Sequence, residues 1–290
     1  SLWIQNHCQP RLDQLVEIAI QIDYLPHTKY CVMDLSLNIQ LADNYHGKTQ
    51  IARVITEDWV SRNMYCPVCG NPILNHYNAN RPVADFDWQK CHKDYELKSK
   101  EKESGELGGK INDGQFDKLI ERITSNQNPN FFLMHYADYK VRNLILIPNH
   151  YFVPKIVEKR KPLAETARRA GWIGSIINIA DIPQSGKIFI VHNGKVNDKA
   201  NVMLQYERTL FLKQGDLKSR GWILDVLACI DRIPDAAFTL EQVYAFTKEL
   251  ERKHPENKHV QAKIRQQLQF LRDQGYIDFT NRGHYKKLNV

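Results

Sequence analysis

Apolar positions along this chain recur with two different periods. In residues 12–22, LDQLVEIAIQI, the positions Leu12, Leu15, Val16, Ala19 and Ile22 form one stripe at helical spacing, and the stretch through Pro26 reads as a loop. The same period returns at 48–62, where Ile51, Val54, Ile55, Trp59 and Val60 share a side; a further helix is expected at about 114–125. FFLMHY (131–136) and NLILIPN (143–149) are short apolar runs bounded by Asn, Asp and Pro, which predicts buried strands, and KIFIVHN (187–193) predicts another. The charged, Gly-rich stretch 101–110, EKESGELGGK, predicts a mobile loop. Residues 154–172 are basic, broken by Pro and closed by Trp172. Strands alternating with helices predict an α/β sheet with covered faces.

The pattern changes towards the C-terminus. GWILDVLACIDRI (221–233) predicts a helix, Thr239 and Gln242 fit a capping box that opens a second, and KHVQAKIRQQLQFLRDQ (258–274) predicts a third that stops at Gly275. YIDFT, NRG and HYKKL then predict a hairpin. Three helices and a terminal hairpin are the plan of a mostly α winged-helix domain. In the third helix Val260, Ile264, Leu268 and Leu271 form the buried face, opposite His259, Lys263, Arg265, Gln266 and Gln269.

Length and composition restrict the class. A chain of 290 residues accommodates about two domains. Hydrophobic residues at 42% and charged residues at 25% are the profile of a globular protein. No apolar run approaches the length of a membrane helix, and no secretory leader is visible, so a cytoplasmic protein without membrane contact is expected. A net charge of +7 and a pI near 9.0 favour a polyanionic partner such as nucleic acid. The surplus is concentrated in residues 251–290, where nine Lys or Arg face four Asp or Glu.

Two constellations carry chemistry. Asp85 ends one apolar run, and Glu96-Leu97-Lys98 follows on the next. Alternation along a strand puts Glu96 and Lys98 on one face, so with Asp85 beside them two carboxylates can share a Mg²⁺ near a phosphate, with Lys98 orienting the attacking water. The same residues also suit an ordinary polar-faced strand. The second constellation is Cys66-Pro67-Val68-Cys69-Gly70 with Cys91. Thiolates at that spacing reach one tetrahedral ion, which predicts a structural zinc knuckle. The fourth ligand is open between His92, Asp87 and His76. Trp172, ending a run that contains Arg168 and Arg169, is a candidate base or methyl contact as well as a candidate core residue.

Taken in order from Met33 to Leu288, the segments ITEDWV, YCPVCGN, NRPVADF, ELKSK, INDG, NPNFF, RKPLAETARRAGWIG, SRGW and KIRQQLQFLRD resemble the DpnI family of methyl-directed restriction endonucleases. The resemblance implies an α/β nuclease domain of the PD-(D/E)XK type with a zinc site over 33–213, and a winged-helix DNA-binding domain over 214–290. It implies Mg²⁺-dependent type II cleavage of double-stranded DNA at GATC sites carrying N6-methyladenine. Asp85, Glu96 and Lys98 match the catalytic positions, the first two as Mg²⁺ ligands, and Trp172 matches the methyl-sensing aromatic. Arg168, Arg169, His259, Lys263, Arg265 and Gln266 are the further expected DNA contacts, and a monomer is expected. Two departures stand out. Trp88 occupies the position of a fourth zinc cysteine, and residues 1–32 have no counterpart and read as an N-terminal extension, either sequence upstream of the true start or an added helix. The rival readings are a non-catalytic winged-helix regulator and a nuclease of different methyl or sequence specificity; retention of all three catalytic residue types argues against the regulator.

Overall fold

A computed structural model describes residues 33–72, 74–76, 84–103 and 108–288. The helix expected at 12–22 lies outside these. Residues 35–290 form one compact unit. Its first long element is α1 (Lys48–Asn63), which buries Ile55, Trp59 and Val60 as the apolar stripe requires. Then follow β1 (Leu74–His76), β2 (Phe86–Trp88), β3 (Asp94–Glu101), β4 (Lys110–Gln115), α2 (Phe116–Thr124), β5 (Asn130–Ala137) and β6 (Lys140–Ile147). The helix expected over 114–125 is therefore split: a strand runs to Gln115, and the helix starts at Phe116. The chain continues through β7 (Val157–Lys159), β8 (Gly174–Asn178), β9 (Ile188–His192), β10 (Lys195–Val196) and α3 (Lys199–Arg208).

The main sheet has the order β1-β2-β3-β5-β6-β9-β10. Only β3 and β5 pair in parallel; the other neighbours are antiparallel. A parallel pair needs a crossover, and here β4 and α2 supply it. Every residue of β5 is buried, as befits a central strand covered on both faces. A second sheet, β4-β8-β7, stands apart from the first.

From Leu217 on, the chain keeps the expected order, but the second of the three expected helices is split in two behind an added strand: α4 (Leu217–Asp231), β11 (Ala237–Thr239), α5 (Leu240–Tyr244), α6 (Thr247–Lys253), α7 (Val260–Asp273) and the hairpin β12 (Ile277–Asn281) with β13 (His284–Lys287). Both halves of the Thr239–Gln242 capping box are formed, and Gly275 takes φ +73° just past α7. Strand β11 completes a three-stranded wing sheet, β11-β13-β12. Val260, Ile264, Leu268 and Leu271 are buried as expected. One hydrophobic core runs without a break from Leu119 and Phe131 through Tyr151 and Trp222 to Leu271 and Ile277. Among the described residues no helix is long and apolar enough to cross a membrane.

Candidate functional site

Asp85 sits where β2 peels away from β3. Pairing covers Phe86 with Tyr95 and Asp87 with Asp94 and goes no further. The next residue, Asp85, donates its N–H to the Tyr95 carbonyl at 3.0 Å, and its carboxylate accepts the Leu97 N–H at 2.7 Å. A backbone donor that has lost its strand partner is thus capped by the side chain. Asp85 is tied in this way to the middle of the Glu96-Leu97-Lys98 stretch. Burial pushes its carboxyl up, the Leu97 N–H opposes this, and the charge of Glu57 on α1 adds to the rise.

Glu96 and Lys98 share a face of β3, as alternation requires, and the Lys98 ammonium lies 2.5 Å from Glu96 Oε1. The structure adds two residues that sequence reasoning missed. Asp113 of β4 accepts from the same ammonium at 2.7 Å, and Arg122 of α2 lies 3.7 Å from Glu96 and 3.8 Å from Asp113. Asp113 is the most buried of the four, with a side chain only 3% exposed. Burial pushes Glu96 up to about 6, with Lys98 pulling it down and Asp113 adding to the rise. Burial disfavours the Lys98 ammonium, but Glu96 and Asp113 outweigh it and hold its pKa above the ordinary lysine range. Asp113 is likewise held low by Lys98 against its burial. The only available signal for Asp113 was its place in the INDG segment; Arg122 left none.

Two donor features bear on metal binding. Glu96 Oε2 is buried without a hydrogen-bond partner, and Asp85 brings a second carboxylate to the same strand pair. An oxygen-only donor set of this kind fits a hard cation such as Mg²⁺. A cleft of about 580 Å³ runs alongside, lined by Arg53 and Glu57 of α1 and by Lys98, Lys100 and Lys110. Its charged walls, mostly basic, suit a phosphodiester backbone.

The three cysteines meet. Cys66, Cys69 and Cys91 bring their Sγ atoms within 4.8 Å of one another. The CPVCG turn closes through Gly70 N–H to Cys66 O at 2.8 Å, with Gly70 at φ +71°, where a residue without Cβ is favoured. Cys91 arrives on a turn whose N–H groups at Cys91 and His92 both reach the Trp88 carbonyl. Burial raises the Cys66 thiol and pushes Cys91 up to about 12. A bound divalent cation reverses that preference and favours thiolates. Three sulfur donors so placed fit zinc. His92 and Asp87 are not brought to them: the His92 side chain is 80% exposed and lies 3.9 Å from Asp87. Alternation along β2 explains this, since Trp88 points with Phe86 into the core against Tyr95 and Phe132, and Asp87 points the other way. The Tyr95 hydroxyl lies 3.5 Å from Cys66 Sγ. The side chain of His76 lies outside the described residues.

The expected DNA contacts fall in two places. Trp172 is half-buried at the end of its basic loop, with Arg168 and Arg169 exposed before it. Its ring lies over Gly174: a Cβ there would come within 2.7 Å of the indole. On α7, His259 is the exposed N-cap, Lys263 donates to Gln266 at 2.8 Å, and Arg265 donates to the Tyr244 hydroxyl at 2.5 Å. These side chains occupy the outward face of a helix that buries its other face.

Two family models match the chain. That of the Dam-replacing family, DpnI, covers residues 33–215, and that of the Dam-replacing HTH domain covers residues 218–287.

Proposed function

The chain belongs to the Dam-replacing family, DpnI, and on that footing we propose that it is a type II, methylation-dependent restriction endonuclease of the PD-(D/E)XK type, cutting double-stranded DNA at GATC sites that carry N6-methyladenine. The observation that carries the reading is Asp85 fastened to the Glu96-Leu97-Lys98 strand, in a chain that also has a winged helix. Asp85 and Glu96 would hold Mg²⁺, whose charge offsets the negative charge that builds on the phosphate. Lys98 would donate to the attacking water or to a phosphate oxygen and hold it in line. The cleft beside them would take the DNA strand, with Arg53, Lys100 and Lys110 supplying phosphate contacts that position without reading sequence. Cys66, Cys69 and Cys91 would hold a structural zinc that braces the approach to Asp85.

The methyl group is recognised by contact rather than by pairing. An N6-methyl adds apolar surface in the major groove, worth about 1 kcal/mol per group when covered. Trp172 is the candidate cover in the nuclease part, and His259, Lys263, Arg265 and Gln266 are the candidate base and phosphate contacts on α7.

One plasmid prepared with and without adenine methylation tests the reading. Linear fragments are expected only from the methylated form with Mg²⁺, and none in EDTA. Asp85→Ala, Glu96→Ala and Lys98→Ala are each expected to abolish cutting while methylated duplex is still bound. Binding with no cutting in any divalent metal would leave a regulator; cutting of both plasmids alike would remove the methyl dependence.

A further inference from the structure

Two acids and two bases are packed together behind the face of β3 that carries Glu96 and Lys98. The pairings are Lys98 to Glu96 at 2.5 Å, Lys98 to Asp113 at 2.7 Å, and Arg122 at 3.7 and 3.8 Å from the two carboxylates. The side chains are 3–25% exposed, and the charges balance two against two. Burying one unpaired charge costs several kcal/mol, and here each carboxylate has both cations within 4 Å, so none of the four is left unpaired. The arrangement also poses a conflict. Glu96 cannot give its carboxylate fully to a cation while Lys98 holds it.

Resting on the nuclease reading above, we propose that Asp113 and Arg122 are positioning residues of the cutting centre: Asp113 keeps the Lys98 ammonium when Glu96 turns to the metal, and Arg122 clamps both carboxylates. The separation of roles follows from where the residues come from. Asp113 sits on β4 and Arg122 on α2, in the crossover between β3 and β5, so their placement does not depend on the β2–β3 junction that presents Asp85. Asp113 Oδ2 is buried without a hydrogen-bond partner, leaving it an acceptor to spare once Lys98 shifts. The Asp113 main chain is fixed by pairing with Ser175 on β8, and Ser175 Oγ bonds to the Gly114 carbonyl at 3.0 Å. A carboxylate so anchored keeps Lys98 in one place, whereas Glu96 alone would drag it along.

The test uses the full chain and three variants, Asp113→Asn, Asp113→Glu and Arg122→Lys. Three quantities are measured: the single-turnover cutting rate on methylated plasmid, affinity for methylated duplex in EDTA, and Mn²⁺ binding to the protein alone by electron paramagnetic resonance. In Asp113→Asn the cutting rate is expected to fall on the order of tenfold to a hundredfold, with duplex affinity unchanged within about twofold. Mn²⁺ binding is expected to weaken about fivefold, because Lys98 then stays on Glu96. Asp113→Glu and Arg122→Lys, which keep the charges, recover part of the rate. An Asp113→Asn protein that cuts within about twofold of the wild type and binds Mn²⁺ equally well overturns the proposal. So does a loss of rate that tracks a fall in melting temperature and is not relieved in Asp113→Glu. A wild-type protein that cuts no DNA removes the nuclease reading and this inference with it, and that failure is seen in a different sample.

Discussion

Gly174 shows how one residue sets the position of another. It opens β8 and is buried, and the Trp172 indole lies where a Cβ would be, 2.7 Å from Cζ3 and 2.8 Å from Cη2, with the Arg160 stem at 3.1 Å. The loop is fixed from its backbone as well: the Leu163 N–H reaches the Trp172 carbonyl, and the Trp172 N–H reaches the Arg169 carbonyl, each at 3.0 Å. Trp172 cannot slide away along the chain, so a methyl at 174 must tilt the ring. Gly174→Ala is therefore expected to weaken cutting of methylated plasmid by roughly fivefold, the scale of one aromatic contact of about 1 kcal/mol. DNA binding by the C-terminal helices should not change. Equal cutting rates for Gly174→Ala and wild type on methylated DNA would take Trp172 out of methyl sensing. At this scale the grouping of the proposed cutting residues was legible in sequence, since Asp85, Glu96 and Lys98 lie within one hairpin. Asp113 and Arg122 were not, because a strand pairing with distant β8 and a helix in the crossover bring them in.

Elements with a strong apolar period were legible to within a few residues: α1, β5, β6, α7 and the wing hairpin. Those that carry little apolar signal were missed. Strand β4, KINDGQ, buries only Asp113, so it offers no alternation to read. Helix α3 fully buries only Val202 and Tyr206 in ten residues, too narrow a stripe to stand out. The cysteine turn is the opposite case, a short element with a strong signal. Its three thiols converge, yet the partner expected from a fourth position is Trp88, packed 4.7 Å from the Tyr95 ring in an edge-to-face arrangement. The purified protein is expected to carry about one zinc per chain, with the fourth position open to solvent or another donor. Cys66→Ser should lose that zinc and lower the melting temperature by several degrees, since a structural metal contributes to folding directly. Elemental analysis that finds no zinc in folded, active protein would reduce the cluster to three packed thiols.

At the scale of the whole molecule, the two segments matched by separate family models share one core. Phe211 meets Phe270 of α7 and Tyr276 with ring centroids 5.7 and 5.0 Å apart, and the Tyr276 hydroxyl donates to the Arg208 carbonyl at 3.1 Å. A buried ionic knot fastens the same contact. Asp225 of α4, 4% exposed, accepts from Lys155 and lies 2.7 Å from His254 Nε2 and 3.4 Å from the Lys253 ammonium. Lys155 comes from the turn before β7 and also donates to the Gly221 carbonyl at 3.1 Å. The His254 ring stacks on Trp222, centroids 3.7 Å apart. A contact built this way makes residues 35–290 unfold together, so calorimetry should show one transition. Asp225→Asn keeps the shape but leaves Lys155 without its close anion, while Lys253 keeps Glu249 at 3.3 Å. Removing one partner of a fully buried pair costs 3–5 kcal/mol; Lys155 is about a third exposed, which reduces this to about 2–3 kcal/mol, or a drop of roughly 5–10 °C for a chain of this size. Glu158→Gln is the control, because its pair with Lys110 is exposed on both sides and contributes no more than about 1 kcal/mol. Two resolved transitions in the wild type would show that the two segments unfold separately, and an Asp225→Asn melting point no lower than that of Glu158→Gln would show that something other than this knot holds them together.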